Sequence, residues 1–261
     1  MADADALRDA GVSGVPATPQ PVEPPAGLPG DDSVMSLVDH LGELRTRLFR
    51  IILAVVVGGA VGFMIADPIR DKLLDLIPDG TAQALGPGDG FAITLRISLV
   101  VGVILAMPVI LYQVWAFIAP GLTPAERKAI RPWVPLALFF FALGVVIAYL
   151  VLPYALSFLF SFTDDRLIEN VAAGPFFDFI TTTFLAFGLV MEFPILLYGL
   201  TRVGILHSDQ LRAARRYVIL GIAIFSAVAT PGGDLVSPFV LGGTMYLLYE
   251  LTVWFIRRTG R

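Results

Sequence analysis

The sequence predicts an all-α integral membrane protein, and three observations lead to this fold class. Of the 261 residues, 56% are hydrophobic and only 15% are charged, whereas a soluble domain usually carries roughly 25% charged residues. Apolar runs follow one another along the chain, and most are long enough to cross a bilayer. Arginine and lysine collect in alternate loops between these runs, as is typical of membrane proteins. We therefore expect six transmembrane helices, with short fifth and sixth spans.

The chain divides into three predicted segments of unequal size. Residues 1–35 form an acidic, proline-rich tail, residues 36–258 form a six-span membrane domain, and residues 259–261 form a cytoplasmic C-terminal end. The first 32 residues hold six acids against Arg8 alone, and their low content of large apolar side chains predicts disorder. They lack a basic region followed by an apolar core, so they are not a signal peptide.

The membrane domain begins with a predicted amphipathic helix at residues 36–50. Leucines recur at helical spacing on one face and charged side chains occupy the other (Leu37, Leu41, Leu44 and Leu48 against Asp39, Glu43, Arg47 and Arg50). Such a helix lies in the membrane interface with its apolar face toward the lipid. The first span follows it directly, at about residues 51–66.

Further apolar runs predict the remaining spans, at about residues 91–114, 133–151, 176–200, 217–229 and 238–256. The fifth of the six spans has only about 13 residues, or roughly 20 Å of helix, against a hydrocarbon core of roughly 30 Å. Either Arg215 and Arg216 snorkel at its start, or the bilayer is thinner there. A thin final pair of spans would turn the bundle into a concave cup.

The basic residues also predict the orientation of the chain. Most of the eighteen fall on one side of the predicted spans, namely Arg45, Arg47, Arg50, Arg127, Lys128, Arg131, Arg202, Arg212, Arg215, Arg216, Arg257, Arg258 and Arg261. An excess of arginine and lysine marks the cytoplasmic side. We therefore expect both termini in the cytoplasm, and we place the protein in the cytoplasmic membrane.

Motifs for enzyme chemistry, nucleotides and metals are missing from the sequence. There is no cysteine, which excludes disulfides, thiolate nucleophiles and zinc–sulfur sites. No G-x-x-x-x-G-K-[ST], H-E-x-x-H or G-x-S-x-G is present. His40 and His207 lie far apart and have no cluster of acids at metal-ligand spacing. We expect no catalytic residues, no cofactor, no metal site and no nucleic-acid partner.

Two acids on the predicted cytoplasmic side are the better clue to function. Glu43 lies on the polar face of the amphipathic helix, and Glu126 lies in a basic elbow between two spans. Their cationic surroundings favour the ionised form, and ionised carboxylates suit a partner that carries guanidinium groups. Local roles are equally open, because Glu126 can complete a capping box with Thr123 and Glu43 can pair with Arg47.

Two further acids fall within apolar runs. Glu192 lies in the fourth predicted span, two residues before Pro194. An ionisable group at membrane depth is a functional hypothesis by default, although a protonated acid bonded to a neighbouring helix would also explain it. Glu250 lies nearer the cytoplasmic end of the last span and is explained by snorkelling or by pairing with Arg257.

Four blocks of sequence occur in an order that resembles a known family. They are HLGELRTRL from His40, ILYQVWAFIAPGL from Ile110 with the following Glu126, AFGLVMEFP from Ala186, and TPGGD from Thr230. They resemble the TatC subunit of the twin-arginine protein translocase, over about residues 36–258. In one departure, Gly232 and Gly233 precede Asp234, where the family turn commonly reads T-P-P-D.

The resemblance implies a receptor for paired-arginine signal peptides on folded precursors bound for export. Glu43 and Glu126 match the family's arginine-contacting acids, and Arg45 and Phe117 match other recognition positions. Positions linked to assembly or transport are matched by Pro68, Tyr149, Glu192 and Asp234. Implied partners are single-span TatA- and TatB-like subunits, further copies in a homo-oligomeric receptor complex and the lipid bilayer, and the implied energy source is the proton-motive force.

The sequence also allows a second function, a six-span proton-coupled transporter of small solutes that uses Glu192 as its proton site. Transporters of this kind often contain internal repeats with paired broken helices. The two halves of this chain show no convincing repeat, although Pro108 and Pro194 are suggestive. An intramembrane enzyme would need a nucleophile–base pair, and the sequence offers none.

Overall fold

The computed structural model of the chain describes residues 37–162, 170–202, 204, 206, 210, 213–230 and 234–258. The contacts divide the chain into Met1–His40 and Leu41–Arg261. Of the first unit only residues 37–40 are described, as the first turn of a helix. The predicted tail at 1–35, the C-terminal end at 259–261 and the expected turn at 231–233 lie outside the described residues.

The described part of the chain is helical, which confirms the predicted class. Its helices are α1 (Leu37–Met64), α2 (Ala66–Leu74), α3 (Asp89–Ile118), α4 (Pro124–Ile130), α5 (Trp133–Phe160), α6 (Ala173–Val190), α7 (Phe193–Arg202), α8 (Arg215–Ala229) and α9 (Val236–Arg258). A 3₁₀ turn, Ala119–Gly121, joins α3 to the elbow that carries α4. One isolated backbone bridge links Gln83 and Ala172.

Five stretches are long and apolar enough to cross a membrane, namely His40–Met64, Asp89–Gly121, Trp133–Phe160, Ala173–Thr201 and Val236–Arg258. They confirm a multi-pass membrane protein. The third stretch extends nine residues beyond its predicted end. Pro153 lies inside this helix and does not end it. Helix α8 has 15 residues, which is only about 22 Å at 1.5 Å per residue. The sixth span therefore stays a prediction.

Helix α1 is continuous from Leu37 to Met64 and so includes most of the segment predicted to be amphipathic as well as most of the first predicted span. It packs closely against α3 through small residues. A Cβ on Gly58 would lie 2.7 Å from the carbonyl oxygen of Gly102, and one on Gly62 would lie 2.7 Å from that of Ser98. Such distances leave no room for a side chain, so these glycines let the two helix backbones meet. This contact fixes α1 against the helix that carries the elbow.

Helices α5 and α6 form another close pair. A Cβ on Gly144 would lie 2.5 Å from the carbonyl oxygen of Phe187, and the buried side chains around the pair include Leu152, Phe177 and Ile180. Residues Met191 and Glu192 separate α6 from α7 within the same span. Packing of α6 therefore places the break at Glu192 beside the apolar core.

Candidate functional site

Glu43 lies on α1 and forms an ion pair with Arg47, one helical turn later. The Nε of Arg47 donates to Oε1 of Glu43 at 2.9 Å, and its Nη2 donates to the same oxygen. Both side chains are largely buried, with 19% of Glu43 and 17% of Arg47 exposed. The local pairing that the sequence allowed for Glu43 is thus confirmed.

Arg47 also connects α1 to α3. Its Nη1 donates to the amide oxygen of Gln113 at 3.2 Å, and Gln113 is buried. Sequence reasoning missed Gln113, although a single glutamine among apolar residues near the end of a span was a signal. Phe117 lies four residues further along α3 and is partly buried, so it shares the Gln113 side of the helix. Arg45 is exposed on α1.

Glu126 lies in the first turn of α4, and its carboxylate closes a capping box. The backbone N–H and the hydroxyl of Thr123 donate to Oε2 of Glu126 at 2.9 and 2.8 Å. The backbone N–H of Glu126 donates back to the Thr123 hydroxyl at 3.4 Å. Pro124 occupies the first helical position, where its missing N–H costs nothing. The predicted capping role is confirmed, and it holds the carboxylate in one orientation.

The elbow is attached to α3 through an aromatic contact. The guanidinium carbon of Arg127 lies 5.7 Å from the ring centroid of Trp115. Trp115 follows Gln113 by two positions, and such residues project from a helix in directions about 200° apart. The same turn of α3 therefore contacts both acid sites. Gln113 contacts Arg47, the partner of Glu43, and Trp115 contacts Arg127, the neighbour of Glu126.

Two other sequence-predicted residues, Pro68 and Tyr149, belong to one corner of the structure. Pro68 is exposed on α2, and Lys72 lies one turn after it. The Nζ of Lys72 lies 6.0 Å from the ring centroid of Tyr149 on α5. The structure thus brings the helix of Pro68 against Tyr149, which is half exposed.

Glu192 and Asp234 are both placed at helix starts. The carbonyl of Glu192 accepts the N–H groups of Ile195 and Leu196, in the first turn of α7. Its Oε1 is buried, without a hydrogen-bond partner among the described residues. Asp234 is 3% exposed, and its Oδ1 accepts the N–H of Ser237 at 2.5 Å.

One prediction about the last helix is wrong. Glu250 pairs with Arg215 at 2.6 Å and not with Arg257. Arg215 also donates to the hydroxyl of Tyr246 at 2.6 Å, so it fastens α8 to α9. In the described part of the chain, no three or more histidine, cysteine, aspartate or glutamate side chains are grouped so that they could hold a metal ion.

Comparison with known proteins gives consistent results. A family model described as Sec-independent protein translocase protein (TatC) matches residues 39–243. A protein of that name from Carboxydothermus hydrogenoformans is 32% identical over 227 residues, which cover 86% of this chain and 93% of the relative. Another, from Azotobacter chroococcum, is 37% identical over 233 residues, which cover 87% and 91%.

Solved structures agree with these sequence matches. A crystal structure of the twin arginine translocase receptor TatC superimposes with a TM-score of 0.74 at 34% identity, covering 85% of this chain and 100% of the other. A second, of the same receptor in DDM, gives 0.72 at 33% identity, covering 83% and 99%. The likeness therefore covers most of the membrane domain, and it confirms the resemblance drawn from the four sequence blocks.

Proposed function

This chain belongs to the TatC family of Sec-independent protein translocase proteins, and from that premise we propose how it recognises cargo. As a TatC protein it acts in the twin-arginine translocase, as the receptor for signal peptides of exported proteins. In our proposal, Glu43 and Glu126 bind the two guanidinium groups of a paired-arginine signal peptide. The family match does not favour a small-solute transporter.

One observation carries the proposal, namely that Glu43 already holds a guanidinium group. Arg47 approaches its carboxylate with two nitrogen atoms, which is the charge-assisted geometry that arginine forms with carboxylates. An incoming arginine would share this carboxylate with Arg47 or displace it. Lysine has no planar fork of donors and would be a poorer competitor.

The elbow supplies the second acid in this proposal. The capping box orients Glu126 at the start of α4, so little side-chain freedom is lost when a ligand binds. Arg127 lies over Trp115, where the ring attracts its charge. Phe117, on the Gln113 side of α3, would contact apolar parts of the signal peptide, and exposed Arg45 would complete the recognition surface.

The arrangement in the membrane is also a proposal. The cations at the start of α1, in the elbow and in the last turn of α9 support placing both termini and the elbow in the cytoplasm. This orientation requires α8 to be the fifth of six spans in the cytoplasmic membrane. Because α8 is shorter than the hydrocarbon core, the bilayer would thin around it.

Transport would involve further subunits and an ion gradient. We assign Pro68, Tyr149, Glu192 and Asp234 to assembly with TatA- and TatB-like single-span subunits, or with further copies of the chain. The buried Oε1 of Glu192 supports this assignment, since a polar atom at membrane depth gains most from a partner helix. The proton-motive force would supply the energy for export.

Crosslinking to a synthetic signal peptide tests the two acids directly. Glu43→Ala and Glu126→Ala should each weaken binding of an Arg-Arg peptide about 10- to 100-fold, the range expected when a hydrogen bond to a charged group is lost. Asp79→Ala serves as the matched control, because Asp79 is exposed in the loop between α2 and α3. A Lys-Lys peptide should bind weakly to every variant.

The proposal fails if both variants insert into the membrane and still crosslink to the Arg-Arg peptide as strongly as the parent chain. It also fails if Asp79→Ala weakens binding as much as they do, because general charge would then explain the attraction. Thermal unfolding of each purified variant separates lost binding from lost folding.

A further inference from the structure

A groove opens at the elbow, between the end of α3 and the start of α5. Its volume is about 710 Å³, and it is lined by Tyr112, Trp115, Leu122, Pro124, Arg127, Lys128, Arg131 and Val134. Two of the membrane-crossing stretches end here, at Gly121 and at Trp133. The ends of membrane-crossing stretches are expected where the hydrocarbon core meets the headgroups.

The groove carries three basic side chains. Arg127, Lys128 and Arg131 are exposed, and none of them forms a salt bridge with a carboxylate in the described part of the chain. Arg127 and Arg131 lie one turn apart, where like charges repel. An anion bound between them would relieve that repulsion.

A neutral donor in the same groove also lacks an acceptor. The Nε1 of Trp115 is buried and has no hydrogen-bond partner among the described residues. A buried N–H without an acceptor is costly, and a phosphate or ester oxygen would satisfy it. Leu122, Pro124 and Val134 give the groove an apolar side, which suits the glycerol and acyl region of a lipid and not a free ion.

We propose that this groove binds the phosphate headgroup of one anionic phospholipid, with Arg127, Lys128 and Arg131 around the phosphate and Trp115 donating to an oxygen of the lipid. Basic pockets at helix ends on the cytoplasmic side are suited to such headgroups. The bound lipid would hold the elbow, and hence α4, at the membrane surface. The site goes beyond signal-peptide binding and uses neither Glu43 nor Glu126.

The test titrates the purified full chain, in a neutral detergent, with phosphatidylglycerol, phosphatidylcholine or inorganic phosphate, and counts bound molecules by native mass spectrometry. One phosphatidylglycerol should bind at least about tenfold more tightly than phosphatidylcholine, and millimolar phosphate should not displace it. The variant Arg127→Gln/Lys128→Gln/Arg131→Gln should lose this preference. Trp115→Phe should weaken phosphatidylglycerol binding by a few fold.

A matched variant removes three exposed cations elsewhere, Arg50→Gln/Arg257→Gln/Arg258→Gln, and should keep the single tightly bound lipid. If both triple variants lost phosphatidylglycerol binding equally, general attraction to anionic lipid would explain the binding and the proposed site would be wrong. Displacement of the lipid by inorganic phosphate, or equal binding of the two lipids, would also overturn it. If the elbow triple variant unfolds, the double variant Lys128→Gln/Trp115→Phe takes its place in the same titration. It removes only one positive charge and should also bind phosphatidylglycerol less tightly than the parent chain.

Discussion

Glu43 and Glu126 look alike in the sequence, but the structure holds them in different ways. The carboxylate of Glu43 pairs with Arg47, which in turn reaches across to Gln113 on α3. Glu126 is held by Thr123, the N-cap residue that directly precedes its own helix. One acid thus depends on tertiary packing and the other on a local cap. From this difference we expect that each site can be disturbed without the other.

Removal of Arg47 should have the largest effect, because its guanidinium serves two helices. Arg47→Ala takes a charged donor from the largely buried Glu43 and from buried Gln113, and we expect the free energy of unfolding to fall by about 1.5–3 kcal/mol. Arg45→Ala, at an exposed position on the same helix, should change it little. Thermal unfolding in detergent measures both changes in stability, and similar values for Arg47→Ala and Arg45→Ala would contradict the expected difference between them.

Local rules in the sequence predicted both acids' nearest partners, but not their distant ones. The i,i+4 pair and the capping box follow from spacing alone. The contact of Arg47 with Gln113 spans 66 positions, and spacing carries no information about such a pair. The same limit applies to Arg96 on α3, which pairs with Asp178 on α6 at 2.8 Å.

The case of Glu250 shows why the sequence pointed to the wrong ion-pair partner. Arg257 lies seven residues later on α9, which is about 10 Å along the helix axis. Arg215 approaches from α8 and reaches the carboxylate at 2.6 Å. Likewise the break at Glu192 was visible as a charged residue before a proline, whereas burial of its Oε1 depends on how α6 packs against α5. The type and order of the long helices were therefore predictable, whereas some of their ends and the contacts between them were not.

The cap of α4 gives the next largest effect. Thr123→Ala removes the hydroxyl that exchanges hydrogen bonds with Glu126, which should cost about 0.5–2 kcal/mol of local stability. Hydrogen exchange of the amides at residues 125–130 should speed up, while exchange in α1 stays unchanged. Thr123→Ser keeps the hydroxyl and should exchange like the parent chain. Faster exchange in α1 as well would mean that the two acid sites are coupled.

The contact between Arg127 and Trp115 should have the smallest effect, and it tests how firmly the elbow is attached to α3. With the guanidinium carbon 5.7 Å from the ring centroid, a cation–π pair at an exposed position contributes about 0.5–1 kcal/mol. A double-mutant cycle of Arg127→Gln and Trp115→Leu, read by thermal unfolding, should return a coupling of that size. The same cycle on Arg258 and Trp254, which both lie on α9 with the guanidinium carbon 4.5 Å from the ring centroid, is the control for a pair that joins no helices. If only the control pair were coupled, the contact with Trp115 would not stabilise the elbow, and the orientation of Glu126 would not depend on this contact with α3.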